Sequence, residues 1–225
     1  MPRAVSGSPA PSVPLVKICG ITRLEDAQAA VQLGAQAIGF IFWPKSPRFI
    51  EPAAAGQIAR QLPAFVTAVG VFVNEPVESI NRITDVASLG AVQLHGDEVP
   101  EVGAAVQRRI VKAVSGEAVL AEADRWPLTT VLLIDAHDPV RRGGTGRTVD
   151  WQVAAGLARR RRIVLSGGLT PDNIRAAIAA VQPYAVDISS GVESAPGIKD
   201  HAKLTALFAQ VREAAVAMRQ AGVPR

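Results

Sequence analysis

Cys19, Asp135 and Arg48 are the residues of this chain whose types and positions suit proton transfer and anion capture. Cys19 closes the apolar run LVKIC and is followed at once by Gly20, so its thiol sits where a strand gives way to a turn. A lone cysteine in such a run is either buried filler or, as a thiolate, a base. An unperturbed thiol with a pKa of about 8.5 is only a few per cent ionised at neutral pH, so the second role needs cations nearby. Lys17 or Arg48 can supply them. Asp135 closes VLLID, where a carboxylate either caps the following turn or serves as an acid. Arg48 lies in FWPKSPRFI, a turn stiffened by two prolines. Its guanidinium either faces solvent or clamps a carboxylate bidentately.

Two further segments, IVLSGGLTPDNI and AVDISSGVE, end β-rich runs in small, glycine-containing turns. Glycine lets the backbone approach an anion, and N–H groups free at a following helix start supply donors and partial positive charge. The two turns, at adjacent strand ends, therefore read as a cradle for one phosphate. His95 in QLHGDE reads either as a proton carrier or, more in keeping with its setting, as a packed or hydrogen-bonded ring. His137 with Asp138, and His201 with Asp200, lack metal-ligand spacing, and no catalytic metal is expected. GGTGR at 143–147 fits neither a Walker loop nor a dinucleotide fingerprint, and reads as a flap after the sixth strand.

The elements that must position these groups alternate along the chain. Strand-length apolar runs at 15–19, 37–42, 67–73, 91–95, 110–114, 131–136, 162–167 and 185–189 are separated by stretches of helical period at 25–34, 52–61, 76–88, 98–108, 117–124, 150–160, 171–181 and 200–218. Pro52, Pro76 and Pro171 stand at expected helix starts. Eight βα units suit a closed (β/α)8 barrel, an α/β fold of one domain, better than an open doubly wound sheet. In such barrels the active site lies at the C-terminal strand ends, with phosphate held after strands seven and eight. Strand alternation puts Lys17 with Cys19, Gln93 with His95, Leu133 with Asp135 and Asp187 with Ser189 on common faces. Lys17 and Asp187 then fall deeper in the barrel, where a mutual ion pair is expected, with Lys112 as a further candidate member.

The 225 residues, 48% of them hydrophobic and only 4% aromatic, are enough for one domain with an aliphatic core. Residues 15–219 are read as that domain, 1–14 as a disordered leader without the apolar centre of a secretory signal, and 220–225 as a flexible tail. Apolar runs stop far short of the roughly 20 residues that span a bilayer, so no membrane partner is expected. One cysteine rules out an internal disulfide and fits a reducing, cytoplasmic compartment. The net charge of +4 gathers partly at RRG (141–143) and RRRR (159–162), which lack interleaved aromatics. They read as a solvated basic face, not a nucleic-acid surface.

The motifs VKICGIT, GFIFWPKSPR, VGVFVNE, VQLHGDE, LLIDA, GGTGRTVDW, LSGGLTPDNI and VDISSGVESAPGIKD follow one another from Val16 to about Phe208. In this order they resemble the phosphoribosylanthranilate isomerase family of tryptophan biosynthesis. The resemblance implies Cys19 as general base, Asp135 as general acid and Arg48 as the anthranilate-binding arginine. It places phosphate contacts around Gly167, Gly168, Ser189, Ser190 and Gly191, and Asp187 among the substrate-binding positions. It further implies a phosphoribosyl substrate, an Amadori rearrangement of aminoaldose to ketose, no cofactor or metal, and a monomer in preference to a homodimer. The neighbouring alternative is a histidine-pathway or dual-specific aminoaldose isomerase, whose members carry aspartate where Cys19 stands. A phosphate-binding barrel without catalysis is the alternative from another class, and the presence of both Cys19 and Asp135 argues against it.

Overall fold

A computed structural model of the chain describes residues 13–115, 119–135 and 150–220. Eight parallel strands close on themselves in sequence order: β1 (Leu15–Cys19), β2 (Ala37–Ile41), β3 (Thr67–Phe72), β4 (Ala91–Leu94), β5 (Arg109–Val114), β6 (Val131–Asp135), β7 (Ile163–Ser166) and β8 (Ala185–Ile188). Closure is made by β8 pairing with β1, with Lys17 opposite Asp187 and Ile18 opposite Ile188. The helices between them are α1 (Leu24–Leu33), α2 (Pro52–Ala59), α3 (Val77–Val86), α4 (Pro100–Ala105), α5 (Val119–Arg125), α6 (Trp151–Ala158), α7 (Ile174–Val181) and α8 (His201–Gln220). This is the expected (β/α)8 barrel, with each strand within two residues of its expected limits.

Strand alternation sorts the core into two layers. Val16, Ile18, Ile38, Phe40, Leu94, Leu132 and Ile134 face the helices and pack with them, whereas Leu133, Val164 and Ala185 pack with Leu15, Val111 and Val131 inside the barrel. The outer layer takes most of the apolar burial because a helix ring surrounds every strand. On α8, Leu204, Leu207, Phe208, Val211, Ala214 and Ala215 recur at spacings of three and four and are buried, while the rest of the helix stays largely open. Asp200 caps that helix by accepting from the amides of Ala202 and Lys203 at 2.9 and 3.1 Å.

Helix ends depart from expectation where side chains claim the flanking backbone. Pro52 occupies the first turn of α2 as expected. Pro171, however, lies in a turn before α7, where Asn173 accepts from the Thr170 amide at 2.8 Å and donates to the Gly168 carbonyl at 3.0 Å. The chain becomes helical only at Ile174. α4 is shorter than the expected 98–108, because Glu98 is spent on an ion pair and Val106 is extended.

The basic run 159–162 is only partly a solvated face. Arg161 turns back to donate to four backbone carbonyls, of Ala123, Trp126, Pro127 and Thr130, at 2.6 to 3.2 Å. It satisfies the acceptors between α5 and β6, a role that a charge count does not reveal. Unforeseen between β8 and α8 are a short 3-10 turn (Ser190–Val192) and an antiparallel hairpin of β9 (Glu193–Ala195) and β10 (Ile198–Lys199). The expected flap at 143–147, the His137–Asp138 pair, RRG at 141–143, the tail beyond Gln220 and most of the leader lie outside the described residues. No helix among the described residues is long and apolar enough to cross a membrane.

Candidate active site

The C-terminal rim of the barrel gathers the expected groups around Cys19. Its position opposite Gly39 on β2 matters, because a Cβ at Gly39 would stand 2.9 Å from the thiol sulfur and 3.0 Å from Lys17 Cε. Only the missing side chain leaves room for both. Below the thiol, Lys17 Nζ donates to both carboxylate oxygens of Asp187 at 2.9 Å, and both residues are buried. The expected ion pair is therefore present. Burial alone would lower the Lys17 pKa, but Asp187 outweighs it and holds the ammonium charged.

Lys112 does not join that pair. Its neighbours in sequence, Val111 and Ala113, face the barrel interior, so Lys112 points to the helix layer and bonds Glu98 at 2.8 Å beneath the Trp126 ring. The effect of cations on Cys19 is also smaller than expected. Burial pushes the thiol pKa up, and the pull of Lys17 and Lys199 in the other direction does not overcome it. Burial thus favours the neutral thiol.

Arg48 reaches the rim from the loop after β2, where Ser46 and Phe49 form turn bonds and the Arg48 amide donates to Ser46 Oγ at 3.1 Å. It does clamp a carboxylate, but that of Glu193: Nε donates to both oxygens at 2.9 and 3.1 Å and Nη2 donates at 2.6 Å. The aliphatic stem of Arg48 lies over Gly20, whose φ of +73° and lack of Cβ both matter, since a Cβ there would meet Arg48 Cδ at 2.6 Å.

The two glycine turns touch. A Cβ on Gly191 would collide with the Leu169 carbonyl oxygen, so the chain after β8 lies directly against the chain after β7. Gly167 and Gly168 carry positive φ of 94° and 62°, and none of the loop hydrogen bonds among the described residues uses the amide of Gly168, Ser190 or Gly191 as donor. Ser189 behaves differently from its neighbours. Its hydroxyl oxygen is buried without a partner and leans toward Gly20, the β1 side of the rim.

Asp135 ends β6 opposite Ser166 of β7. In the closed strand order it stands three strand steps from Cys19, by way of β7 and β8, on a ring of eight. His95 is bonded through Nδ1 to Gln93 Nε2 at 2.8 Å, the hydrogen-bonded reading of that ring. His201 bonds Asp26 at 2.8 Å, while Asp200 is spent on its cap. Among the described residues no group of three His, Cys, Asp or Glu side chains could hold a metal ion.

Residues 16–210 match the family model described as N-(5'phosphoribosyl)anthranilate (PRA) isomerase. The chain belongs to this family. The N-(5'-phosphoribosyl)anthranilate isomerase of Pelobacter propionicus is 53% identical over 193 residues, 84% of this chain and 91% of the relative. Among solved structures, a phosphoribosyl anthranilate isomerase in complex with reduced 1-(o-carboxyphenylamino)-1-deoxyribulose 5-phosphate superposes with a TM-score of 0.78 at 42% identity, covering 89% of this chain and 99% of that one. Monomers generated from the dimeric isomerase of Thermotoga maritima superpose at 0.76 with 40% identity, over 88% and 98% of the two chains.

Within this phosphoribosylanthranilate isomerase fold, two charged residues at the rim escaped sequence reasoning. Glu193 and Lys199 both lie in the motif VDISSGVESAPGIKD but were not singled out. The available signal was Pro196–Gly197, a turn dipeptide that marks a hairpin and so brings the two charges together. Lys199 Nζ bonds Glu193 at 2.7 Å and the Cys19 carbonyl at 2.6 Å.

Proposed function

We propose that this isomerase works through Cys19 as general base, Asp135 as general acid and Arg48 as the anchor for the substrate carboxylate. The reaction is the Amadori rearrangement of N-(5-phosphoribosyl)anthranilate to 1-(2-carboxyphenylamino)-1-deoxyribulose 5-phosphate, a step of tryptophan biosynthesis. The observation that carries the residue assignment is the placement of the chain's one thiol. It stands at the end of β1 above the Lys17–Asp187 pair, between Arg48 on one flank and the touching glycine turns on the other.

Asp135 protonates the furanose ring oxygen as the ring opens, while the anthranilate nitrogen lone pair forms a Schiff-base cation at C1′. As the Schiff-base cation forms beside it, the Cys19 thiol gives its proton to solvent; the thiolate then takes the C2′ proton, and the resulting enolamine tautomerises to the ketone. The substrate supplies its own electron sink, so these residues only move protons and hold geometry. A thiol kept neutral by burial suits this order of events. The thiolate becomes affordable when the cationic Schiff base stands beside it, and the base is not wasted in the resting protein. The amides of Gly168, Ser190 and Gly191, with Gly167 and Ser189 shaping the turns, receive the phosphate. Asp187, tied to Lys17, forms the floor under the ribose. Arg48 offers the carboxylate the Nη1 side of its fork, since Nε and Nη2 serve Glu193.

The test is to generate the substrate in situ and follow the loss of its fluorescence. Cys19→Ala and Asp135→Asn should each lose about 10²- to 10⁴-fold in kcat while still binding product, and Arg48→Ala should act mainly on KM. Near-wild-type turnover by Cys19→Ala would remove the base assignment. The catalytic unit is the barrel of residues 15–219, whose sheet is complete within one chain, and it is read as acting as a monomer. Sedimentation at assay concentration checks it.

A further inference from the structure

The β9–β10 hairpin folds back over the exit of β1. Thr22, three residues after Cys19, donates its hydroxyl to the Gly197 carbonyl in the hairpin turn at 2.6 Å. The far strand of the hairpin ends in Lys199, whose side chain has no exposed surface. Its ammonium has three protons and meets three oxygens: the Cys19 carbonyl at 2.6 Å, Glu193 Oε1 at 2.7 Å and the Ser189 carbonyl at 3.3 Å.

Those partners have a common geometry. The register between β1 and β8 runs to Ile18 opposite Ile188, and Cys19 and Ser189 are the next residue on each strand. The ammonium thus bridges the two strands one step beyond the end of their ladder. One of those residues carries the thiol and the other opens the turn that faces the Gly167–Gly168 segment. Through Glu193 the same ammonium reaches Arg48, because that carboxylate accepts from Lys199 and from two nitrogens of the guanidinium. The hairpin end is itself anchored. The Lys199 amide donates to Asp26 Oδ2 at 3.0 Å, and this fully buried carboxylate also holds Arg23 and His201.

A buried lysine–glutamate pair is weak evidence for stability, since its desolvation cost offsets much of its attraction and apolar residues can replace it. What sets this pair apart is that its remaining bonds go to three separate parts of the site. We propose that Lys199 is a positioning residue for the isomerisation, fixing the Cys19 thiol, the turn after β8 and Arg48 in one relative geometry through the Cys19 and Ser189 carbonyls and Glu193. The proposal rests on the assignment of Cys19, Arg48 and that turn made above. Loss of the ammonium removes the tie between the Cys19 and Ser189 carbonyls beyond the ladder and leaves Glu193 with an unbalanced charge that draws on Arg48.

The experiment compares Lys199→Met and Lys199→Arg with wild type, each shown to be folded by circular dichroism at the assay temperature. Two readouts are taken: kcat and KM for phosphoribosylanthranilate, and the pH dependence of Cys19 alkylation by iodoacetamide, clean here because the chain has one cysteine. Lys199→Met should lose about 10- to 100-fold in kcat, as expected when a reacting group is misplaced by about an ångström, and should raise KM. Its alkylation profile should move to higher pH, while Lys199→Arg recovers part of both. Wild-type kinetics and an unmoved alkylation profile in folded Lys199→Met would overturn the proposal and leave a bracing pair only. Should Lys199→Met fail to fold, Glu193→Gln gives the decision: it keeps size and an acceptor oxygen, and a kinetic loss without a matching loss of melting temperature supports the proposal, whereas unchanged kcat and KM reject it. The alkylation readout needs no turnover, so failure of the base assignment, seen as an active Cys19→Ala, is separable from failure of the Lys199 proposal.

Discussion

Two buried lysine–glutamate pairs stand on different sides of the barrel rim, and they are built alike. Lys199–Glu193 closes at 2.7 Å and Lys112–Glu98 at 2.8 Å, with all four side chains almost wholly buried. Each joins three chain segments at strand ends: β1, β8 and the hairpin in the first, and the exits of β3, β4 and β5 in the second, where Glu98 accepts from the amides of Asn74 and Gly96 and Lys112 donates to the Gly96 carbonyl. The difference lies in what else the carboxylate holds. Glu98 spends its other bonds on backbone amides, so its pair braces loops. Glu193 accepts one amide, from Gly197, and gives the rest to Arg48, a side chain that reaches the rim. On the role proposed for Arg48, the same ionic unit is structural or functional according to its third partner.

The largest expected effect removes the purely bracing pair. Lys112→Met leaves the Glu98 carboxylate buried without its counter-charge, and urea unfolding should show a loss of about 3–5 kcal/mol. KM of the folded variant should stay at its wild-type value. A KM increase matching that of a Glu193 variant would erase the distinction between the two pairs. Next comes Gly20→Ala, which forces a side chain into the left-handed region and against Arg48 Cδ. Strain of about 1–3 kcal/mol is expected, together with weaker substrate binding, measured as melting temperature and KM.

Acid titration sharpens the comparison further. Burial raises the Glu193 carboxyl, but hydrogen bonds from Arg48 and Lys199 outweigh it and hold its pKa below the ordinary glutamate value. Such a group stabilises the folded state above its unfolded pKa of about 4.3, and that contribution is lost as pH falls through the lower folded value. Stability measured from pH 6 downward should therefore fall less steeply in Glu193→Gln than in wild type. An unchanged slope would mean that the carboxyl is not held low. The smallest effect belongs to an exposed pair. Arg160 and Asp124 meet at 2.8 Å with both side chains more than half exposed, and Arg160→Ala should cost at most about 1 kcal/mol in the same unfolding assay.

Much of the rim was legible along the chain because its signals are local. Apolar runs of strand length placed all eight strands, and parity put Lys17 and Asp187 on the inner face, where register then set them opposite each other. Lys112 shows how the same rule fails when it is not applied through to the end. Parity with Val111 and Ala113 turns it outward, away from the Lys17–Asp187 pair it was expected to join. Arg161 was hidden for another reason: within a run of four arginines nothing in sequence distinguishes the one that folds back onto carbonyls some 31 to 38 residues away.

Periodicity and turn chemistry are written in neighbouring residues, so the sequence by itself determined the barrel's elements, the strand ends that carry Cys19 and Asp135, and the glycine turns after β7 and β8. Tertiary structure decided who meets whom. Arg48 finds Glu193 across 145 residues and Lys199 finds Cys19 across 180. Such partners are chosen only when the sheet closes, because closure fixes which strand ends become neighbours and which buried charges must then find each other or remain costly.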